Sequence, residues 1–129
     1  MPHAVIEYSA NLDAEMDPAE IVRVVHGAML AQPIFDPPGI RTRAARREHF
    51  RVADANPRNA FIAITIRIGP GRTLAQRKQA SEAVMQALYD AVAPIYETRG
   101  LSLSVEVTEL DGAATTRRNS LRERAAAKG

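Results

Sequence analysis

Between residues 60 and 68 the chain reads Ala-Phe-Ile-Ala-Ile-Thr-Ile-Arg-Ile, with isoleucine at 62, 64, 66 and 68. Successive side chains of a strand point to opposite faces, so this spacing predicts one face of isoleucine alone and another of Phe61, Ala63, Thr65 and Arg67. The isoleucine face needs an apolar cover, and the sequence that follows supplies one. Gly69-Pro70-Gly71 breaks the strand, and Thr73-Leu74-Ala75-Gln76 has the spacing of a capping box. Leu74, Val84, Leu88, Val92 and Ile95 then describe a long amphipathic helix ending near Arg99-Gly100, which Pro94 is expected to kink or shorten. Leu101, Leu103, Val105 and Val107 alternate with Ser102, Ser104, Glu106 and Thr108 as a final strand.

The first half repeats this layout. A strand from about His3 to Tyr8 places Val5 and Glu7 on one side and Ala4, Ile6 and Tyr8 on the other. Asp17-Pro18-Ala19-Glu20 reads as a helix start, with Asp17 as cap, Pro18 in the first turn and Glu20 placed to reach back. Ile21, Val24, Val25, Ala28 and Met29 form the apolar face of a helix over 18–31, which Pro33 and Pro37-Pro38-Gly39 prevent from continuing. Residues 40–52 are extended and rich in arginine, and Asp54 to Asn59 form a turn. The interval from strand start to helix cap is similar in both halves, near His3 to Asp17 and near Ala60 to Thr73. The order predicts an α/β fold of two βαβ units, with a four-stranded sheet covered on one face by two helices. The other face mixes Phe61 and Ala63 with Glu106 and Arg67, as where subunits meet around a wet centre, and predicts a homo-oligomer of closed symmetry.

Charge divides the chain of 129 residues into a neutral body and a basic tail. Residues 1–110 carry 12 Lys and Arg against 13 Asp and Glu, while residues 111–129 carry 5 against 2. The body, 1–110, is expected to be the folded domain. The tail has helical propensity but few apolar anchors, and is expected to dock on a neighbouring subunit or stay mobile. The absence of Cys excludes disulfides, thiolate metal sites and a cysteine nucleophile. His3, His26 and His49 have no metal-ligand spacing, so no metal is expected. The N-terminus lacks a secretory pattern, no apolar run reaches the roughly 20 residues that span a bilayer, and a cytoplasmic protein without a membrane partner is expected. The arginines at 41, 43, 46, 47 and 51 raise nucleic-acid binding as an alternative. A neutral body with no Trp and three each of Phe and Tyr argues against it.

Pro2 is the chemically singular residue. Within a chain its nitrogen is an amide without useful basicity; with Met1 removed it becomes a secondary amine that accepts a proton. Arg72 follows Gly69-Pro70-Gly71 and precedes a helix start, where free N–H groups and the helix dipole favour an anion.

Pro2-His3 opening a strand, Gly39-Ile40-Arg41-Thr42-Arg43 after the first helix and Ile68-Gly69-Pro70-Gly71-Arg72-Thr73 before the second together resemble the 5-carboxymethyl-2-hydroxymuconate Δ-isomerases of the tautomerase superfamily. The resemblance covers most of residues 2–110. It implies the paired βαβ fold, a homotrimer whose sheets surround a central channel, and catalysis without cofactor or metal. It implies Pro2 as catalytic base, moving a proton along an unsaturated 2-hydroxy or 2-oxo acid. It further implies Arg41 as the arginine that holds the substrate carboxylate and Arg72 as a second anion binder, in a pocket for a small carboxylate. Arg43 shares a strand face with Arg41 and is a further substrate-binding candidate. The short 4-oxalocrotonate tautomerases place an arginine about ten residues after the proline, where this chain has Asn11, Leu12 and Asp13; that departure argues against their substrate. A related tautomerase acting on phenylpyruvate and a non-catalytic trimeric binding protein are the alternatives.

Overall fold

A computed structural model describes residues 2–128. Four strands and two main helices follow the expected order: β1 (His3–Ser9), α1 (Pro18–Leu30), β2 (Arg41–Arg47), β3 (Ala60–Ile68), α2 (Leu74–Thr98) and β4 (Leu101–Glu109). A third helix, α3 (Ser120–Lys128), ends the described chain. The sheet order is β2-β1-β3-β4. β2 runs parallel to β1, β4 runs parallel to β3, and the central pair β1/β3 is antiparallel with Ile6 opposite Ile64. Two βαβ units thus meet back to back at the middle of one sheet.

The isoleucine stripe carries out its predicted role. Ile62, Ile64, Ile66 and Ile68 are each no more than 1% exposed and join Ala4, Ile6 and Tyr8 beneath Val25, Met29, Val84, Leu88 and Val92 of the two helices. Burying a side chain of this size is worth about 1.5–3 kcal/mol, so each isoleucine of the stripe adds appreciably to the core. On β4 the corresponding Leu101, Leu103 and Val105 are only half-buried.

Local chemistry sets the helix starts. Thr73 accepts from Gln76 N while Gln76 Oε1 accepts from Thr73 N, the reciprocal pair expected of a capping box. Asp17 caps α1 through Ala19 N, but Glu20 turns to Arg23 instead of reaching back. Two other expectations are corrected. Leu74 is 71% exposed, because the first residue of α2 lies before the helix passes over the sheet. Pro94 does not shorten α2, which runs to Thr98; proline removes one N–H there, and buried Val92 and Ile95 on either side hold the last turns on the core. The extended stretch after residue 40 forms a strand only as far as Arg47.

The tail is tied to its own chain. Leu110 N donates to Ile68 O, Asn119 Nδ2 donates to Pro38 O at 2.8 Å, and Arg122 pairs with Asp36.

Candidate active site

Parallel pairing brings Pro2 and Arg41 together. The Arg41 N–H donates to the Pro2 carbonyl at 3.0 Å, the first bond of the ladder in which His3 lies opposite Arg41 and Val5 opposite Arg43. Pro2 is buried. Met1, on whose removal the basicity of Pro2 depends, lies outside the described residues.

Paired residues share a face, so His3, Arg41 and Arg43 project from the side of the sheet turned away from the helices. Arg67 joins them, lying opposite His3 in the antiparallel register. Arg43 Nη1 donates to His3 Nδ1 at 3.3 Å. Burial and then the charges of Arg43, Arg41 and Arg67 push the His3 imidazole below its ordinary pKa. The start of β1 is therefore a place where a further positive charge is disfavoured. Arg67 was legible only as an outward residue of β3; its position beside His3 follows from the strand register, which the sequence does not display.

Arg41 and Arg72 approach the region through one loop. After α1, residues 31–40 turn back to β2 through Pro37 and Pro38, anchored by Phe35, which is 3% exposed. Arg41 Nη1 donates to Gly39 O at 2.7 Å, and Arg72 Nη2 donates to Ile34 O at 2.9 Å. Both guanidinium groups are half-buried and each gives one nitrogen to this loop. Arg72 sits immediately before the Thr73 cap of α2, as expected, but its contact is with the loop and not with Pro2. Three of the four predicted site residues, Pro2, Arg41 and Arg43, thus gather at the β1/β2 end, with Arg72 linked to them through residues 34–39.

An open groove lies elsewhere. A groove of about 700 Å³ runs between α2 and β4, lined by residues that include Met85, Tyr89, Tyr96 and Leu103. It contains none of the predicted site residues and lies at the opposite sheet edge from β2. Geometry and charge identify the candidate site here; the size of an opening in one chain does not. Among the described residues no group of three His, Asp or Glu could hold a metal ion, and no helix is long and apolar enough to cross a membrane.

The family model for 5-carboxymethyl-2-hydroxymuconate isomerase matches residues 2–125. The 5-carboxymethyl-2-hydroxymuconate Delta-isomerase of Escherichia coli is 32% identical over 121 residues, 94% of this chain and 96% of that protein. A crystal structure of a 5-carboxymethyl-2-hydroxymuconate isomerase from Deinococcus radiodurans R1 superposes with a TM-score of 0.89 at 36% identity, covering 96% of this chain and 93% of the other. A fused 4-OT protein described as a symmetric trimer shares the fold alone, with a TM-score of 0.58 at 13% identity over 84% of each chain. On the sequence match and the superposition together, this chain belongs to the 5-carboxymethyl-2-hydroxymuconate isomerase family and is an isomerase of the tautomerase fold.

Proposed function

We propose that this protein isomerises 5-carboxymethyl-2-hydroxymuconate in aromatic catabolism, as a cytoplasmic homotrimer, with Pro2 as the proton shuttle once Met1 has been removed. The observation that carries the reading is the pairing of the Pro2 carbonyl with the Arg41 N–H, which sets the residue proposed as base beside the one proposed as carboxylate anchor. The Pro2 nitrogen takes the proton of the 2-hydroxyl group, and the electron pair left behind spreads over a dienolate. The protonated proline then returns the proton to a carbon further along the conjugated chain. One proton leaves and one returns, so the reaction is redox-neutral. Arg41 binds the carboxylate and stabilises the dienolate oxygen as charge develops there, with Arg72 and Arg43 as further anion binders.

The field around His3 supports the role of Pro2. A base must be free of its proton at the working pH, and Arg41, Arg43 and Arg67 disfavour the ammonium form of a nearby amine as they disfavour the imidazolium. Three features support the trimer. Both sheet edges, β2 and β4, are unpaired in the single chain; the groove beside β4 is open; and the face away from the helices mixes Val5, Phe61 and Ala63 with charged residues. A closed ring of subunits covers all three, and the symmetric trimer of the same fold supports that arrangement.

The test is ultraviolet-monitored turnover of 5-carboxymethyl-2-hydroxymuconate by protein whose intact mass shows loss of Met1. Rapid conversion is expected, falling by about 10²- to 10⁴-fold in Pro2→Ala, the usual worth of a general base. Full activity in that variant sinks the mechanism. No conversion by processed wild type moves the substrate to another 2-oxo acid, with phenylpyruvate as the next to assay.

A further inference from the structure

The basic tail ends at the loop that holds both anion-binding arginines. Residues 34–39 receive four side-chain contacts: Arg72 on Ile34 O, Arg41 on Gly39 O, Asn119 on Pro38 O and Arg122 on the Asp36 carboxylate. Besides the buried Phe35 and Gly39 and the core-packed Ile34, few backbone hydrogen bonds fix the loop. Pro37 and Pro38 lack N–H groups, and the remaining bonds are short-range turns from Phe35 N to Gln32 O, Gly39 N to Asp36 O and Ile40 N to Pro37 O. The half-buried Asn119 supplies the Pro38 carbonyl with a donor from outside the loop.

The route of the tail points the same way. Beyond β4, Gly112 packs against Pro70, where an added Cβ would lie 3.2 Å from Pro70 Cδ. The tail therefore passes the Gly69–Arg72 turn before it reaches the Arg41 loop. α3 itself has no buried apolar anchor among its described side chains, Leu121 being 57% exposed, so its attachment rests on polar contacts such as those of Asn119 and Arg122.

We propose that Asn119 and Arg122 are positioning residues: acting through residues 34–39, they hold Arg41 and Arg72 in the orientation that receives the substrate carboxylates. This rests on the assignment of those arginines as anion binders under the proposed function. The strap acts through Arg41 and Arg72 and does not touch the Pro2 nitrogen itself. Because the Arg122–Asp36 pair is exposed, salt weakens the strap at its outer contact, while the Asn119 contact is less affected.

The experiment compares wild type, Arg41→Ala, Asn119→Ala/Arg122→Ala and the exchanged pair Asp36→Arg/Arg122→Asp, all lacking Met1. Readouts are KM and kcat on 5-carboxymethyl-2-hydroxymuconate, the Kd of adipate by calorimetry, and hydrogen exchange at Gly39, Ile40 and Arg41. The double alanine variant is expected to raise KM and the adipate Kd roughly five- to tenfold, to lower kcat by a smaller factor through the displaced Arg41, and to speed exchange at the three amides while the β3 amides stay protected. The charge-exchanged pair, which keeps Asn119 and restores the ion pair in the opposite sense, is expected to stay within about twofold of wild type. If Arg41→Ala raises KM and the double alanine variant does not, the strap is overturned and the arginine assignment survives. If Arg41→Ala leaves both KM and the adipate Kd unchanged, the arginine assignment falls, and the role of the strap with it. If wild type does not turn over the substrate, the substrate assignment falls, and adipate binding with amide exchange decides the strap alone.

Discussion

The two βαβ units share a layout and differ in where they place their residues. The second connects β3 to β4 by a 25-residue helix with short turns on either side; the first uses a 13-residue helix and longer loops, over 10–17 and 31–40. The ladders open at matching register, His3 opposite Arg41 and Ala60 opposite Leu101, but with bonds of opposite sense: Arg41 N donates back to Pro2 O in one half, and Ala60 N donates forward to Gly100 O in the other. At that shared position the first half carries a proline and an arginine. The second carries Asn59, Ala60, Gly100 and Leu101, packed so closely that a Cβ on Gly100 would lie 2.6 Å from Asn59 Oδ1. The same frame thus builds a partly open, cationic end from loops in one half and a closed joint from a long helix in the other. A site needs polar groups that are not consumed by the fold, and loops leave them.

Two arginines make the contrast measurable. Arg99, just after α2, is 4% exposed in its side chain and donates to Arg58 O, Asn11 O and Glu15. Arg41 has one acceptor among the described residues, Gly39 O. Arg99→Ala leaves two carbonyls and a carboxylate without their partner, and is expected to cost about 2–4 kcal/mol of stability with little change in kcat/KM for the folded fraction. Arg41→Ala is expected to do the reverse, changing stability by less than about 1 kcal/mol and lowering kcat/KM by about 10- to 100-fold. Urea unfolding and steady-state kinetics on both variants check the pair. A kinetic loss confined to Arg99→Ala would break the division between a site half and a joint half.

Gly100→Ala sharpens the same comparison at a smaller scale. The added methyl must displace Asn59, whose Nδ2 is held by Val52 O and Asp54 Oδ1, so the clash cannot relax without loosening the 52–59 turn. A destabilisation of about 1–2 kcal/mol, read from the denaturant midpoint, is expected, with activity intact. In the first half the corresponding residue is Ile40, 8% exposed, where a side chain is accommodated and belongs to the core.

Much of this frame is legible in local sequence. The isoleucine alternation of β3 and the Thr73/Gln76 box are readable because the interacting atoms are a few residues apart and the backbone period does the rest. Leu74 misleads for a related reason: helical spacing assigns a face, but where the sheet beneath ends is a tertiary fact. Pro94 misleads because the cost of one missing hydrogen bond is set against burial of Val92 and Ile95, which only the packed structure reveals. The site divides in the same way. Pro2, Arg41, Arg43 and Arg72 are proposed from motifs, whereas Arg67, Asn119 and Arg122 are proposed from pairings across the chain: Asn119 meets Pro38 from 81 residues away and Arg122 meets Asp36 from 86. No local pattern carries such a pair.

The smallest expected effect concerns His3, at the cationic end of the first half. His3 has a depressed pKa in the folded protein, owing first to burial and then to Arg43, Arg41 and Arg67, while the unfolded chain keeps a value near 6.5. As pH falls below 6.5 the unfolded state takes up a proton that the folded state refuses, so the unfolded state binds more protons and folding stability declines. Above 6.5 both states are neutral and the contribution is flat. Thermal unfolding between pH 7.5 and 5.5 should therefore show a melting temperature that drops more steeply in wild type than in His3→Gln, which keeps an acceptor for Arg43 but cannot titrate. Identical slopes would mean that neither burial nor the guanidinium groups hold the His3 imidazole neutral in the folded protein. The field invoked to keep Pro2 unprotonated would then lose its independent support, because His3 and Pro2 are adjacent in the chain and sit opposite the same strand.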